Sequence, residues 1–574
     1  LEFDVLNWEA MNDQEWIINQ PHPQAELLAG AINVPFWVAR ILTNRNIVTP
    51  EEAKSFLFGD ESCLHDPFLF RDMKKAVARI KRAICNKEKI LVFGDYDVDG
   101  ILSVVMLTRA LADLGGVVSY YIPNRLSEGY GLKESSLEVV IKEGAGLVIS
   151  TDCGITASAF VARAKKAGID VIITDHHQPG ASLPAAEAIL NPALPDSGYP
   201  ENNLAGVGVV FKLIQALYQG HPRQGVIHHY LKLVSIGTVA DIAELKGENR
   251  LLVKQGLEQL KQAVNPGLKG LLETCGLLGK NVSVWDVGFR IGPRLNAAGR
   301  LGEAEAAVEL FFSSDDEKIS LLVKKLDKFN AERQKIEGKI FQQAISLVEA
   351  KKLNDRYKML ILGSEEWHRG VIGVVASKLK EMFYRPVMLF AYENGQAVGS
   401  GRSVPGFSLI ECLHAQRELL DNYGGHNQAA GCELSLERMS EFRSRINRYA
   451  EEALSPEDLQ KKIFIDLEIN LEELDSEFME YFHLLAPFGV GNPRPYFLAR
   501  RVEIVSPPKK IQNKHIKFIV RQKDRSFEAI GWRKGDWVDL LRRGDIIDFV
   551  FTPQVNEYRG ERLIYLSLEG IKKA

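Results

Sequence analysis

The chain has 574 residues, 46% hydrophobic and 25% charged, an ordinary globular composition but too long for one core, so several domains are expected. A net charge of −4 gives no general attraction to nucleic acid, which leaves any such role to local patches. Six scattered cysteines with no C-x-x-C pair exclude a zinc ribbon or a disulfide framework and fit a reducing cytoplasm, and no apolar run reaches transmembrane length.

The chain opens LEFDVLNWEA, without a methionine or a signal-peptide pattern. A native start nearer Met11 is expected, and residues 1–58 are set apart as an N-terminal segment. From about 88 to 245 short β-branched runs alternate with helical patterns, which predicts a parallel α/β sheet within a domain at 59–304. The runs are KILVFGD, VVSYYIP, GLVISTD, DVIITDHH and a less clear VSIGTVAD. Residues 305–352 predict one long amphipathic connecting helix, with Leu321, Leu322, Leu326, Phe329, Ile336, Ile340, Phe341 and Leu347 at helical spacing. A second α/β unit is expected at 353–458, where the strands KMLILGSE and PVMLFAY flank the helix GVIGVVASKLKEMF. From 459 to 574 short alternating runs predict an all-β barrel of five or six strands.

Four of the five runs in the first unit end at an aspartate. Open parallel sheets bind ligands beyond the carboxyl ends of their strands, so these acids can converge. The segments are FGDYDVDG (Asp95, Asp97, Asp99), STDCG (Asp152), TDHHQPG (Asp175, His176, His177) and GTVADIAEL (Asp241). Three carboxylates at alternate positions repel one another unless a cation sits among them. A single strand-end Asp is commonly a helix N-cap, and a lone HH pair, as at His228-His229, reads as structural. The joint pattern instead points to a metal site. Mixed carboxylates and imidazoles suit Mn²⁺ or Zn²⁺ more than Mg²⁺ alone. So many ligands suit a pair of ions about 3.5–4 Å apart, which activates water against a phosphoester.

In that order the four segments resemble the motifs of the DHH phosphoesterase superfamily. GPRLNAAGRL, EWHRGVIGVVASKL, SGRSVPGFSL, GGHNQAAG and PFGVGNPRPYF narrow the resemblance to its single-stranded-DNA exonucleases, over nearly the whole chain from about residue 60. The resemblance implies an α/β architecture: a parallel-sheet DHH domain, a long linking helix, a DHHA1 domain facing the first across a cleft, and an OB-like barrel. It implies that Asp97, Asp99, Asp152, His176 and Asp241 ligate metal, with Asp152 as the bridge. Asp95 and Asp175 ligate or support, and His177 completes the site or orients a neighbour. The implied activity is 5′→3′ hydrolysis of single-stranded DNA to 5′-mononucleotides in recombination and repair. Two Mn²⁺ are the expected cofactors, with Mg²⁺ as substitute. Single-stranded DNA, a single-strand-binding protein and a helicase are the expected partners of a cytoplasmic monomer without membrane contact.

For substrate the expected residues are Arg294, Asn296 and Arg300 of GPRLNAAGRL, because arginine contacts phosphate through two parallel hydrogen bonds. His368, Ser400, Arg402, Ser403, Gly424, Gly425 and His426 belong to glycine-rich segments whose turns expose anion-binding N–H groups. Tyr130 is a candidate for base stacking. From Arg494 to the end, 18 Lys and Arg stand against 10 Asp and Glu. There Lys509, Lys510, Lys514, Lys517, Arg521, Lys523 and Arg525 alternate with apolar residues, and Phe518, Trp532 and Tyr558 are candidate stacking platforms for single-stranded nucleic acid. Two rival readings remain. A nanoRNase or cyclic-dinucleotide phosphodiesterase would not need the basic barrel, and a silent replication-fork scaffold would be expected to have lost ligands.

Overall fold

A computed structural model describes residues 14–125, 128–129, 131–558 and 561–574, with the backbone alone at 557, 558, 561 and 562. Tyr130 and the side chain of Tyr558 therefore lie outside the described residues. The chain divides into two compact units, one of residues 58–338 with 487–493, the other of 1–57, 339–486 and 494–574. No helix among the described residues is long and apolar enough to cross a membrane.

The strands in chain order begin with β1 (Glu15–Ile18), followed by β2 (Lys89–Gly94), β3 (Val117–Tyr121), β4 (Leu147–Thr151), β5 (Asp170–Thr174) and β6 (Ala188–Leu190). The last five form a sheet in the order β3-β2-β4-β5-β6, parallel at every pairing. Both faces of β2, β4 and β5 are covered, which explains their unbroken apolar runs. The helix Val98–Asp113 is buried along most of its length, so its sequence is apolar all round. VSIGTVAD corrects one expectation: it is not a strand but the end of the helix Leu231–Ala240. Nine of this helix's ten residues are buried, so no polar face marks it, and its β-branched content imitates a strand. The short β6 gave no signal of its own.

The expected single helix over 305–352 is two helices, Ala304–Phe312 and Asp316–Ala350. Ser313-Ser314-Asp315 separates them. The first helix ends where Ser313 turns extended, at φ −68° and ψ 142°, and the Asp315 carboxylate caps the second by accepting from Glu317 N at 2.9 Å and Lys318 N at 3.2 Å.

In the other unit β7 (Leu360–Ser364), β8 (Val387–Glu393), β9 (Gln396–Arg402), β10 (Asn422–Gly425) and β11 (Ala429–Ser435) form a mixed sheet in the order β10-β11-β9-β8-β7. The strand β12 (Lys462–Ile465) pairs in parallel with β1, a partnership of residues separated by more than 440 positions. After β13 (Leu467–Glu468) come β14 (Phe497–Ile504), β15 (Lys509–Ile511), β16 (His515–Gln522), β17 (Arg525–Gly531), β18 (Ile546–Tyr558) and β19 (Glu561–Lys573). β14 pairs with both β18 and β16, so the ring β14-β18-β19-β17-β16 closes on itself. Only β17–β19 is parallel within that ring. Phe518 is 2% exposed inside it, which corrects its expected role as a stacking platform: its place in the β16 alternation puts it on the inner face.

Candidate metal centre and phosphate-binding residues

The carboxyl ends of β2, β4 and β5 bring the strand-end acids together, and the end of the helix Leu231–Ala240 adds Asp241. Asp97 caps the helix Val98–Asp113, its Oδ1 accepting from Gly100 N at 3.0 Å. Asp99 lies in the first turn of the same helix, fully buried. It accepts from Gly206 N (2.8 Å) and Val207 N (2.7 Å), at the start of the helix Gly206–Tyr218, whose dipole favours its charge. Asp152 follows β4 with φ 60°, a left-handed backbone that turns its carboxylate back to the sheet end. His176 Nε2 stands 3.1 Å from Asp152 Oδ1 and 3.9 Å from both Asp99 Oδ2 and Asp241 Oδ2.

Three groups of side chains place their ligand atoms within 4.8 Å of one another: Asp152, His176 and His177; Asp99, His176 and Asp241; Asp95, Asp97 and Asp152. Asp152 and His176 each belong to two of them. Burial first, and the neighbouring carboxylates second, push Asp95, Asp152 and Asp241 well above the usual carboxylate range. Asp99 is raised to about 7 by the same two causes. The Asp95 Oδ1 atom is buried without a hydrogen-bond partner. Such crowding is the electrostatic condition that divalent cations relieve, so the residues present fit a metal centre.

Asp175 is placed differently. Its carboxylate accepts from Ile155 N, His176 N, His177 N and His177 Nδ1, all at 2.8–3.1 Å. Burial opposes its ionisation, but the His177 hydrogen bond and charge outweigh that and leave it below the usual range. Burial likewise opposes protonation of His177, yet Asp175 raises it to about 9. Asp175 thus orients the two histidines and is absent from the ligand groups above.

The helix Gly292–Arg300 lies against the acidic loop. A Cβ at Gly299 would sit 2.0 Å from Tyr96 O, so only glycine permits this approach. Asn296 Oδ1 accepts from Val98 N at 3.3 Å, and Arg300 acts electrostatically on Tyr96. The Arg294 guanidinium is engaged by Asp327 at 2.9–3.0 Å and donates to Arg290 O at 2.8 Å, so it braces the helix Asp316–Ala350. Arg125 escaped the sequence reading. It stacks on the Tyr96 ring at 4.9 Å and acts electrostatically on Asp95. Its position just beyond β3, at the same sheet end as the acids, was the available signal.

In the other unit Arg402 Nη1 donates to Gly401 O (2.7 Å) and stands 3.4 Å from Ser400 Oγ. A Cβ at Gly373, in the first turn of the helix Ile372–Phe383, would lie 2.8 Å from Ser400 Oγ and 3.3 Å from Arg402 Nη2. Cation, hydroxyl and helix N-terminus are thus gathered as an anion requires. His368 precedes that helix; its carbonyl accepts from Val371 N and Ile372 N and its Nδ1 from Gly370 N. Ser403 turns inward, 1% exposed, and donates to Phe407 O at 2.7 Å, a structural bond. Gly424 and Gly425 belong to β10 instead of a tight loop, and His426 N donates to Ala429 O at 2.7 Å across the hairpin to β11.

On the barrel Lys517 pairs with Glu528 and Arg521 with Glu503, each at 2.7 Å. Lys510 and Lys523 are likewise paired, so part of the basic run is neutralised within the domain. Lys509, Lys514 and Arg525 are exposed, as is Trp532, which meets His515 edge-on at 4.9 Å between centroids.

Three family models match the chain: the DHH family N-terminal domain at residues 89–238, the DHHA1 domain at 355–452 and the RecJ OB domain at 465–570. The chain is similar to the single-stranded-DNA-specific exonuclease RecJ of Bacillus subtilis, 37% identical over 95% of this chain and 69% of the relative. RecJ of Dickeya dadantii is 33% identical over 94% and 96%. The crystal structure of Thermus thermophilus RecJ in complex with Mn²⁺ superposes with a TM-score of 0.83 at 30% identity, covering 98% of this chain and 80% of that one. A Mg²⁺ complex from the same organism gives 0.76 at 28% identity, covering 98% and 79%.

Proposed function

The chain belongs to the RecJ family of single-stranded-DNA-specific exonucleases, and from that membership we propose how its own residues carry the reaction. It is a metal-dependent nuclease acting on single-stranded DNA, with Mn²⁺ or Mg²⁺ as cofactor. The finer reading is two ions held by Asp95, Asp97, Asp99, Asp152, His176 and Asp241. The sharing of Asp152 and His176 between ligand groups is the observation that carries it. When bound, the ions supply Lewis-acid charge and a water activated at neutral pH. Asp175 holds His177 by its Nδ1, which leaves Nε2 facing away from that carboxylate. Arg125, Asn296 and Arg300 would orient the scissile region, and Ser400 and Arg402 would take a phosphate. Exposed Lys514 and Trp532 would guide the strand over the barrel.

The same reading takes the polarity as 5′→3′, the products as 5′-mononucleotides, and the role as recombination and repair. It makes the protein a cytoplasmic monomer served by a single-strand-binding protein and a helicase. The test is an end-labelled oligonucleotide series, single- and double-stranded, with and without a 5′-phosphate, in Mn²⁺ and Mg²⁺. Mononucleotides released from the 5′ end of single strands are expected. Preference for short RNA would favour the nanoRNase reading, and binding without cleavage would favour the scaffold.

Two substitutions separate the binding surfaces. Trp532→Ala is expected to weaken binding of a labelled single strand by about 5- to 100-fold, the scale of one base–aromatic stack, with Mn²⁺ affinity unchanged. Arg402→Ala is expected to weaken binding of 5′-phosphorylated single strands more than of unphosphorylated ones, measured by anisotropy with Ca²⁺ in place of Mn²⁺. Equal losses on both substrates would remove the terminal-phosphate role.

A further inference from the structure

The helix Leu231–Ala240 ends in an unusual cap. Ile242 N donates to Val239 O and Ala243 N to Thr238 O, each at 3.2 Å, and Ile242 itself has φ 65°. That is the Schellman arrangement, whose left-handed position ordinarily carries glycine. A β-branched residue there is strained. The Ile242 side chain is 69% exposed, so its own packing does not compensate. Something else must hold the turn that presents Asp241.

The contacts come from residues 487–493, which belong to the same compact unit although they lie about 250 positions further along the chain. Leu245 N donates to Val490 O at 2.7 Å, and Arg250 Nη1 donates to Pro487 O at 3.2 Å. The loop is rigid by its own bonds: Gly489 and Asn492 exchange backbone hydrogen bonds at 2.9 and 3.1 Å, and the fully buried Asn492 donates from Nδ2 to Pro487 O at 2.7 Å. A Cβ at Gly491 would come within 3.1 Å of Glu244 Cβ, and one at Gly489 within 2.7 Å of Leu245. From the other side Asn249 Nδ2 holds Glu244 O at 3.1 Å.

We propose that the 487–493 loop is a brace that positions Asp241 for metal binding, by holding residues 243–245 so that the strained cap at Ile242 cannot relax. Asn492 is its positioning residue. The proposal rests on the reading of Asp241 as a metal ligand. It makes Mn²⁺ affinity depend on a segment far from the metal motifs in sequence.

The test uses the full-length protein, with Mn²⁺ alone as probe in calorimetry and thermal melting of the metal-free form. Asn492→Ala is expected to weaken Mn²⁺ binding about tenfold or more, as supporting residues of metal sites do. Gly491→Ala, which strains the loop at φ 74° and presses on Glu244, should act in the same direction if Asn492→Ala does not fold. Ile242→Gly removes the strain, and in that background the loss from either substitution should shrink to less than about threefold, because the coupling between the sites is gone. A folded variant with a lowered melting temperature but unchanged Mn²⁺ affinity would overturn the brace. So would an undiminished loss in the Ile242→Gly background. Asp241→Asn is the control: if it leaves Mn²⁺ affinity intact the ligand reading fails, whereas if it weakens binding while Asn492→Ala does not, the brace alone fails.

Discussion

Replacing Asp152 by asparagine is expected to lower cleavage of single-stranded DNA in Mn²⁺ by about 10²- to 10³-fold, the scale on which loss of one transition-state-stabilising group acts. Single-strand binding should stay within about threefold, because the barrel and the Ser400–Arg402 region are untouched. Asparagine is the informative substitution here. At φ 60° an alanine would add backbone strain to the loss of charge, while asparagine tolerates the left-handed conformation. Asp152 is singled out because it belongs to two of the ligand groups and its Oδ1 lies 3.1 Å from His176 Nε2. Wild-type turnover in Asp152→Asn would mean that the metal assignment is wrong.

The second large effect is on pH. Asp95, Asp152 and Asp241 are held well above the usual carboxylate range, and Asp99 near 7, by burial and then by their neighbours. A group whose folded pKa is raised contributes stability below its unfolded pKa and loses it as pH rises through the folded value. The metal-free protein should therefore lose stability as pH rises from about 4 through 7. Divalent ions require these carboxylates ionised, so binding displaces protons. The half-saturating Mn²⁺ concentration should rise about tenfold from pH 8 to pH 6 for each carboxylate titrating near 7. The Mn²⁺-induced gain in melting temperature should accordingly be larger at pH 8 than at pH 6. Calorimetry in buffers of different ionisation enthalpy measures the protons released, and a release of zero at pH 6.5 would contradict the charge crowding.

How much of this was legible in the sequence depended on how local each signal was. Continuous apolar runs ending in aspartate announce parallel strands and a site at their carboxyl ends, because both strand burial and ligand position follow from consecutive residues. Asp97, Asp99, Asp152 and the DHH could be picked out on that ground. Asp241 was found as well, but from a wrong premise, since its helix is too buried to show a polar face. Arg294 shows what a local pattern leaves out. An arginine beside a metal motif reads as a phosphate ligand, and the pairing with Asp327 is invisible until the long helix is placed.

The sequence by itself determined the family of chemistry, the order of the domains and most of the acidic cluster, because these depend on residue types at short spacing. The tertiary structure decided which acids and histidines come within 4.8 Å of one another, which arginines are already engaged, that Phe518 is core, and that β1 joins β12. It also decided what holds the strained cap at Ile242, with Leu245 N bonded to Val490 O. Each of these is a contact between residues tens to hundreds of positions apart. Such contacts are selected by burial and hydrogen-bond satisfaction across the whole fold, and no local pattern encodes them.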